Sequence, residues 1–490
     1  MTIETLKVHI DCAQSWRSII VYCFDVIFDI AGVKWAIVEK SDDAVLTYGP
    51  SNASQAHTFQ IRAHALVSAE INPVQIGAAK TAAVFKDWIE RGQYDRNFSG
   101  SDPIFVTWLL LSGEIERCFP FDPYGVPKFA QGDRKLLSGL ASPLVNAFAA
   151  IIPDLVAERR GRQFARVPRW PEGKRCAVAI THDVDEPYSH RRALFFWKRL
   201  QRCLAERQYP LAARSALATI IAGTAEWASL RPLPENDPNF GFESWMTFEK
   251  SIGARSTFYV ATTTSAELGS CNEDVAYDVS DPPIKEALKK CAEAGWEISL
   301  HASINVRSSA SRMILERDKL SEVLGGRVVP GVRHHYWAID CHQPQDTWKS
   351  HVVAQLGYDS SLGMNDRPGF RRGIAWPFLP FDALSELPID LVQIPPTLMD
   401  GAVDQSTSSY SEKLALISSH LQEIAEVGGL GVLDWHLEQA NPTRLRETGP
   451  ALKEALLEFS QRSDVCWMTA EEAASWWRVR RESLRRPDSE

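Results

Sequence analysis

The sequence predicts an α/β protein in which a smaller α+β domain precedes a parallel sheet or barrel with helices outside it. The chain has 490 residues, more than one hydrophobic core usually holds, so two domains are expected. Its first third mixes short strand patterns with helical patterns in no regular order. From Cys176 onward, apolar strand patterns alternate with helical ones, as in sheets whose parallel strands are joined by helices.

The N-terminal part contains two strand patterns and two long helical patterns. Residues 33–40 and 43–49 flank a short polar turn at 41–42, and this arrangement predicts a β-hairpin. Residues 104–118 and 136–160 carry apolar side chains at helical spacing. The N-terminal domain is therefore expected to be α+β.

Segments rich in proline and glycine separate these elements. Residues 119–133 are such a connection, and residues 167–175 form a second one before the alternating region begins. We place the domain boundary within the second connection. The predicted parts are an N-terminal α+β domain of unassigned role at 1–165, a barrel domain at 170–478 and a charged tail at 479–490.

The alternating region contains seven strand patterns and several helical ones. The strand patterns are at 176–181, 256–261, 296–301, 332–338, 391–397, 430–436 and 465–469. The helical patterns include 284–295, 346–357 and 450–462. A basic amphipathic helix at 191–208 is expected to pack on its own domain.

Composition excludes several classes of protein. A formal net charge of −9 argues against a nucleic-acid partner. The most apolar early segment, 18–28, contains Asp25 and is too short to span a bilayer, and it lacks a signal-peptide cleavage site. We therefore expect a cytoplasmic protein without a transmembrane segment. Nine cysteines without CxxC spacing indicate neither a zinc knuckle nor a disulfide framework.

A cluster of polar residues follows the first strand of the alternating region. Residues 177–180 are apolar and predict a buried parallel strand, and Thr181, His182, Asp183, Val184 and Asp185 follow directly. Two carboxylates at the end of a buried strand repel each other and lose hydration. A bound cation is the usual compensation.

Other strands carry metal-type and acid/base-type side chains at their carboxyl ends, which meet on one face of a parallel sheet or barrel. His301 ends one strand pattern, and taken alone it is more often a buried structural histidine than a ligand. Of the neighbours His334 and His335, strand alternation allows at most one to point inward. Asp434 and His436 share a strand face. This spacing suits either a carboxylate that orients a catalytic imidazole or a pair with a structural role only.

These segments, in this order, resemble the polysaccharide deacetylases (NodB homology, carbohydrate esterase family 4). Residues 181–185 match the first motif in its T-x-D-x-D form. Later matches lie at 298–303, at 331–337 with Arg333, at 358–382 and at 432–436. The resemblance covers residues 170–478. Residues 102–117 resemble the N-terminal domain of unassigned role that precedes the catalytic domain in one branch of the family.

The resemblance implies a distorted (β/α) barrel that binds a divalent metal and hydrolyses an N-acetyl group on a sugar. In this assignment Asp183 is the general base and Asp185 and His301 are metal ligands. Arg333 keeps the base ionised, and His436 protonates the leaving amine.

Two further roles complete the implied mechanism. A backbone N–H near Tyr336 is expected to stabilise the tetrahedral oxyanion together with the cation. Either Asp434 or Asp366 is expected to orient His436.

The sequence departs from the family at one ligand position. The second motif usually has histidines four residues apart, but Asn305 stands four residues after His301. Either Asn305 supplies a weak oxygen ligand or His335 completes the shell from the neighbouring strand. We favour His335, because an Asp–His–His shell with open positions suits zinc, or alternatively cobalt, nickel or manganese.

Several side chains near the motifs are candidates for contact with a saccharide. Aromatic faces suit the apolar side of a sugar ring, although core packing is the competing explanation. The three arginines at 367–372 could bind an anionic group, such as the diphosphate of a nucleotide sugar. For Arg371 and Arg372, an ordinary solvated charge is the alternative interpretation. The predicted substrate-binding residues are Tyr336, Trp337, Arg367, Trp376 and Trp435.

The prediction from the sequence is thus a metal-dependent N-deacetylase of a saccharide or sugar conjugate, such as a sugar nucleotide in the cytoplasm. Hydrolysis of another C–N bond, in a formamide or cyclic amide, is the alternative reaction. A carbohydrate-binding protein without activity is the alternative class, since Asn305 replaces a family ligand. The N-terminal domain is expected to shape the substrate cleft or the interface of a homo-oligomer.

Overall fold

The structure of the chain is a computed structural model. Apart from a few isolated positions between 204 and 220, it describes residues 4–50, 58–69, 76–92, 98, 101–188, 237–263, 275, 277–441 and 447–484. The basic helix predicted at 191–208 lies outside the described residues, except for Leu204. Within the described part, no helix combines the length and the hydrophobicity needed to cross a bilayer.

The N-terminal part is a four-stranded parallel sheet covered by helices. Its strands, in the spatial order β2–β1–β3–β4, are β1 (Leu6–Ile10), β2 (Trp35–Ile37), β3 (Leu46–Gly49) and β4 (Phe59–Arg62). Its helices are α1 (Gln14–Ala31), α2 (Ala65–Ser68), α3 (Ala78–Gly92), α4 (Pro103–Leu111), α5 (Arg134–Ser138) and α6 (Leu144–Arg160).

The predicted hairpin at 33–49 is wrong. β2 and β3 both run parallel to β1 and lie on opposite sides of it. The polar turn at its centre is a short 3-10 helix, Ser41–Asp43, which carries the chain past β1 rather than back along β2. An alternating apolar pattern identifies a strand but not the strand with which it pairs. Here the helix α1 connects β1 to β2 as a crossover, and such a connection joins parallel strands.

The C-terminal part is a larger parallel sheet with helices outside it. Its described strands are β5 (Cys176–Val184), β6 (Thr257–Val260), β7 (Glu297–Ala302), β8 (Gly331–His334), β9 (Tyr358–Asp359), β12 (Val392–Gln393), β13 (Leu398–Met399), β14 (Leu430–Asp434) and β15 (Val465–Trp467). The order is β12–β9–β8–β7–β6–β5–β14–β13, and β15 also pairs with β5. A separate two-stranded ribbon comprises β10 (Phe381–Asp382) and β11 (Leu387–Pro388).

Helices alternate with these strands as the sequence predicted. They are α7 (Phe242–Ser251), α8 (Pro282–Glu293), α9 (Ala310–Val323), α10 (Pro344–Val353), α11 (Asp400–Ser406), α12 (Tyr410–Val427), α13 (Thr448–Phe459) and α14 (Ala470–Leu484). The first six residues of the predicted tail, 479–484, are thus helical. The predicted parallel (β/α) architecture is confirmed.

The barrel is distorted where one predicted strand is broken. The strand pattern at 391–397 forms only β12, at one edge of the sheet, and β13 follows it directly at the opposite edge. Between them, Ile394 N donates to Asp359 O and Thr397 N donates to Val432 O, both at 2.8 Å. The two residues in the middle, Pro395 and Pro396, have no N–H to donate, so a continuous strand cannot form there.

A buried ionic cluster joins the N-terminal part to the barrel. Arg371 Nη2 lies 2.9 Å from Glu116 Oε2, and Arg372 Nε lies 2.6 Å from Glu116 Oε1. All three side chains are at most 2% exposed. The prediction that Arg371 and Arg372 bind a ligand anion or are solvated is therefore wrong, because a carboxylate of the other part of the chain neutralises them.

Removing this carboxylate is expected to destabilise the whole chain. Glu116→Gln leaves two buried arginines without their anion, and breaking a buried pair in this way costs about 3–5 kcal/mol. Urea unfolding measures the change. The matched control is Asp390→Asn, which removes an exposed ion pair with Arg478 and should change the free energy of unfolding little. Equal, small effects of both substitutions would contradict the prediction.

Candidate active site

The predicted site residues meet at the carboxyl ends of neighbouring strands. Asp183 lies at the end of β5, and Asp434 at the end of β14 next to it. On the other side, His301 of β7 is in register with Arg333 of β8. Parallel pairing thus gathers residues from four segments at one edge of the sheet, as the strand-end argument predicted.

Three of these side chains form a group with the spacing of metal ligands. Asp185, His301 and His335 each offer a ligand atom, and these atoms lie within 4.8 Å of one another. Asp185 Oδ1 lies 3.2 Å from His301 Nε2, and Asp185 Oδ2 lies 3.4 Å from His335 Nε2. These are the three ligands that the sequence analysis favoured.

The chemistry of this group fits a divalent cation. His301 Nδ1 lies 3.1 Å from the carbonyl oxygen of Arg333, so Nδ1 carries the proton and Nε2 presents its lone pair to the group. Asp185 Oδ1 and His301 Nε2 are buried, and neither makes a directed hydrogen bond within the described residues. Burial would raise the pKa of Asp185, but the neighbouring His335 and His436 hold it well below its usual range. One carboxylate and two imidazoles suit zinc and similar ions.

The two adjacent histidines separate as strand alternation predicted. His335 follows β8 in a short 3-10 turn, His335–Trp337, and faces Asp185. His334 points away and its Nε2 lies 2.9 Å from Nε2 of the buried His351. Burial lowers the pKa of both His334 and His351 to about 3, so this pair is neutral. Asn305 is exposed in a 3-10 turn after β7 and is not in the ligand group.

Asp183 lies beside the group in a network centred on Arg333. Arg333 Nη1 lies 2.8 Å from Asp183 Oδ1, 2.8 Å from Asp434 Oδ1 and 2.9 Å from Thr181 Oγ1. Ser360 accepts two more hydrogen bonds from the same guanidinium. Burial alone would lower the pKa of Arg333, but Asp183 and Asp434 raise it above its ordinary value. The guanidinium therefore stays charged beside Asp183.

Asp434 does not orient His436. Its Oδ1 accepts a hydrogen bond from Arg333, and burial holds its pKa well above the usual range. Asp366, the other predicted orienting residue, instead accepts a hydrogen bond from Ala130 N at 2.8 Å. Both expectations for the partner of His436 are therefore wrong.

The partner of His436 is Asp400, a residue that the sequence analysis missed. His436 Nδ1 lies 3.0 Å from both carboxylate oxygens of Asp400, and His436 N donates to Oδ2 at 3.1 Å. Burial would lower the pKa of His436, but Asp400 and Asp185 hold it well above its ordinary value. The sequence did contain a pattern that could have identified Asp400. This residue directly follows the apolar Leu398 and Met399, as an acidic residue at the end of a strand does.

Of the predicted substrate-binding residues, Tyr336 is the one with an exposed ring. Its relative exposure is 43%, and its ring centroid lies 4.3 Å from that of His335. Arg367 is partly buried at the segment that contains Asp366. These two remain candidates for contact with a substrate.

The three predicted tryptophans have structural roles instead. Trp376 is buried and donates from its indole N–H to Asp29 of α1 at 2.8 Å. Trp435 is buried and donates to Thr448 O at 3.1 Å. Trp337 is 2% exposed and packs over Gly363. The prediction that they bind a saccharide is corrected, because no ring face of these residues is open to a ligand.

Comparison of the sequence with family models and with curated proteins finds no match. Comparison of the structure with solved structures does find similar chains. A protein described as a polysaccharide deacetylase from Mycobacterium smegmatis is 20% identical, with a TM-score of 0.39, over 65% of this chain and 96% of that one. PuuE allantoinase is 14% identical, with a TM-score of 0.38, over 64% of this chain and 94% of that one.

A second chain described as a polysaccharide deacetylase, from Pseudomonas aeruginosa PAO1, is also similar. It is 13% identical, with a TM-score of 0.39, over 66% of this chain and 97% of that one. Two of these three structures are thus described as polysaccharide deacetylases, and one is described as an allantoinase.

Proposed function

We propose that the chain is a metal-dependent hydrolase that removes an N-acetyl group from a saccharide or sugar conjugate. The observation that carries the proposal is the position of two acid/base units beside one ligand group. Asp183 is held by Arg333 on one side of Asp185, and His436 is held by Asp400 with its Nε2 3.4 Å from Asp185 Oδ2. Amide hydrolysis needs such a base and such an acid.

Asp185, His301 and His335 are the residues that would hold the cation, with zinc the first choice. When bound, a divalent cation polarises an amide carbonyl and lowers the pKa of the attacking water. Asp183 takes a proton from that water as its oxygen adds to the acyl carbon. Arg333 holds Asp183 in place through a hydrogen bond to its Oδ1, and the backbone N–H of Tyr336 is the proposed donor to the oxyanion.

His436 completes the reaction as the general acid. Asp400 holds its Nδ1 proton, so that Nε2 faces the site and gives its proton to the leaving nitrogen. The C–N bond then breaks, the water oxygen remains on the acetate, and the amine leaves with the added proton. Asp183 and His436 thus perform the two proton transfers that balance the hydrolysis.

The proposed substrate is a sugar precursor, such as a nucleotide-activated N-acetylhexosamine, rather than a mature polymer. Tyr336, 43% exposed, is the aromatic side chain proposed to contact the sugar, through the part of its ring that the neighbouring rings leave uncovered. The non-catalytic binding protein is disfavoured, because His335 compensates for Asn305 in the ligand group.

Acetate release tests the proposal. The purified chain, loaded with zinc, is incubated with an N-acetylhexosamine oligosaccharide and with a nucleotide-activated N-acetylhexosamine, and acetate and free amine are measured. Equal amounts of both products are expected from one of these substrates. Formate release from an N-formyl analogue alone would support the alternative C–N hydrolase. Saccharide binding without turnover would support the binding protein.

Asp400→Asn is expected to lower kcat by roughly 10²- to 10⁴-fold, because the general acid loses the carboxylate that orients it. The metal content should not change, since Asp400 is outside the ligand group. Steady-state kinetics and elemental analysis measure the two quantities. The matched control is Asp366→Asn, at the carboxylate that contacts Ala130 instead of His436. A loss of kcat in the control but not in Asp400→Asn would refute the assignment.

A further inference from the structure

A column of four rings connects the N-terminal part to the ligand group. The ring centroids of His301 and His335 are 5.3 Å apart, and those of His335 and Tyr336 are 4.3 Å apart. Tyr124 then stacks on Tyr336 at 5.1 Å, with the two ring planes 16° apart. Tyr124 lies in the connection between α4 and α5, so the last ring of the column comes from outside the barrel.

The turn that carries His335 is strained and needs external support. Tyr336 and Trp337 have φ values of 54° and 51°, in the left-handed region that side chains other than glycine disfavour. Such residues persist where their surroundings hold them, and they cluster at functional sites. On one side Trp337 packs over Gly363, where even a Cβ atom would lie 2.0 Å from the indole. On the other side the ring of Tyr124 covers Tyr336.

The segment that contains Tyr124 is itself fixed in place. Asp122 Oδ1 accepts hydrogen bonds from Tyr124 N and Val126 N, each at 2.8 Å. Arg307, from the turn after β7, donates to the carbonyl oxygen of Tyr124. The backbone at Tyr124 is therefore held on both sides, independently of its side chain.

We propose that Tyr124 is a positioning residue for the metal ligand His335 and acts through Tyr336. Its ring presses Tyr336 against His335 and holds the strained turn in the conformation that points Nε2 at Asp185. The N-terminal part thereby completes the metal centre of the barrel. This inference rests on the metal site of the proposed function and adds to it a residue outside the barrel motifs.

The test measures the affinity for Zn²⁺ in competition with a chromophoric chelator, using the full-length chain. The stacking of Tyr124 on Tyr336 contributes interaction free energy that Tyr124→Ala loses. The variant should therefore bind Zn²⁺ about three- to tenfold more weakly than the wild type. Tyr124→Phe keeps the ring and should bind as the wild type does. The visible spectrum of the Co²⁺-loaded chain, which reports the ligand geometry, should change in Tyr124→Ala and not in Tyr124→Phe.

Phe121→Ala is the matched control, because it removes a ring from the same segment that contacts His342 and not the column. It should leave the Zn²⁺ affinity and the Co²⁺ spectrum unchanged. Equal weakening of Zn²⁺ binding in Phe121→Ala and Tyr124→Ala would overturn the inference and indicate a general loosening of the segment. Wild-type Zn²⁺ affinity in Tyr124→Ala would also overturn the inference. If the wild type binds no Zn²⁺ at all, the proposed metal site fails instead, so the two failures are distinguishable.

Discussion

His335→Ala is expected to abolish stoichiometric binding of a divalent metal and, with it, hydrolysis. His335 is one of three residues in the ligand group, and its Nε2 lies 3.4 Å from Asp185 Oδ2. Losing an outer partner of a ligand costs about 10- to 100-fold in metal affinity, and losing a ligand should cost more. Elemental analysis after dialysis and competition with a chelator measure the loss.

Two matched variants make this prediction specific. Asn305→Ala changes the residue at the family's usual ligand position, which is exposed here, and should retain the metal. His334→Ala changes the neighbouring histidine, which pairs with the buried His351, and should also retain the metal although it destabilises the fold. Retention of metal by His335→Ala, or its loss in Asn305→Ala, would show that the ligand assignment is wrong.

Asp183→Asn is expected to reduce kcat by roughly 10²- to 10⁴-fold while the metal and the substrate still bind. The amide cannot accept the proton of the attacking water. Its oxygen can still accept the hydrogen bond that Arg333 donates to Asp183 Oδ1, so the fold should persist. Acetate release, metal content and saccharide binding are measured on the same preparation.

Asp185→Ala provides the contrast to this variant. It removes a ligand and should lose both metal and turnover, whereas Asp183→Asn should lose turnover alone. Thermal unfolding of both variants shows whether either loss results from unfolding. Full turnover in Asp183→Asn would exclude Asp183 as the base, and equal metal loss in both variants would make Asp183 a ligand.

Much of the site could be predicted from local patterns in the sequence. The apolar run before Thr181 predicts a buried strand, and all nine residues of β5 are buried. Because parallel strands end at one edge, their polar end residues had to meet there. Alternation also predicted that at most one of His334 and His335 points inward. The preference for His335 over Asn305 as the third ligand came instead from the suitability of an Asp–His–His shell for zinc.

Contacts between distant segments could not be predicted in this way. His436 pairs with Asp400, which is 36 residues earlier and directly follows the neighbouring strand β13, at the start of α11. Arg371 and Glu116 are 255 residues apart, and nothing in their local sequence distinguishes a buried arginine from a solvated one. The tryptophans near the motifs were equally ambiguous, because core packing and sugar binding select the same aromatic residues.

The sequence by itself determined the parallel (β/α) architecture, the strands that deliver polar groups and the residue types of the ligand group. Periodicity encodes the strands and helices, since it records which face of each element is buried, whereas the ligand residues were implied by the family resemblance. Only the tertiary structure decided that Asp400 pairs with His436, that Glu116 neutralises two arginines and that Tyr124 stacks on Tyr336. These contacts depend on strand order and on how two sheets pack, and no local pattern of residues carries that information.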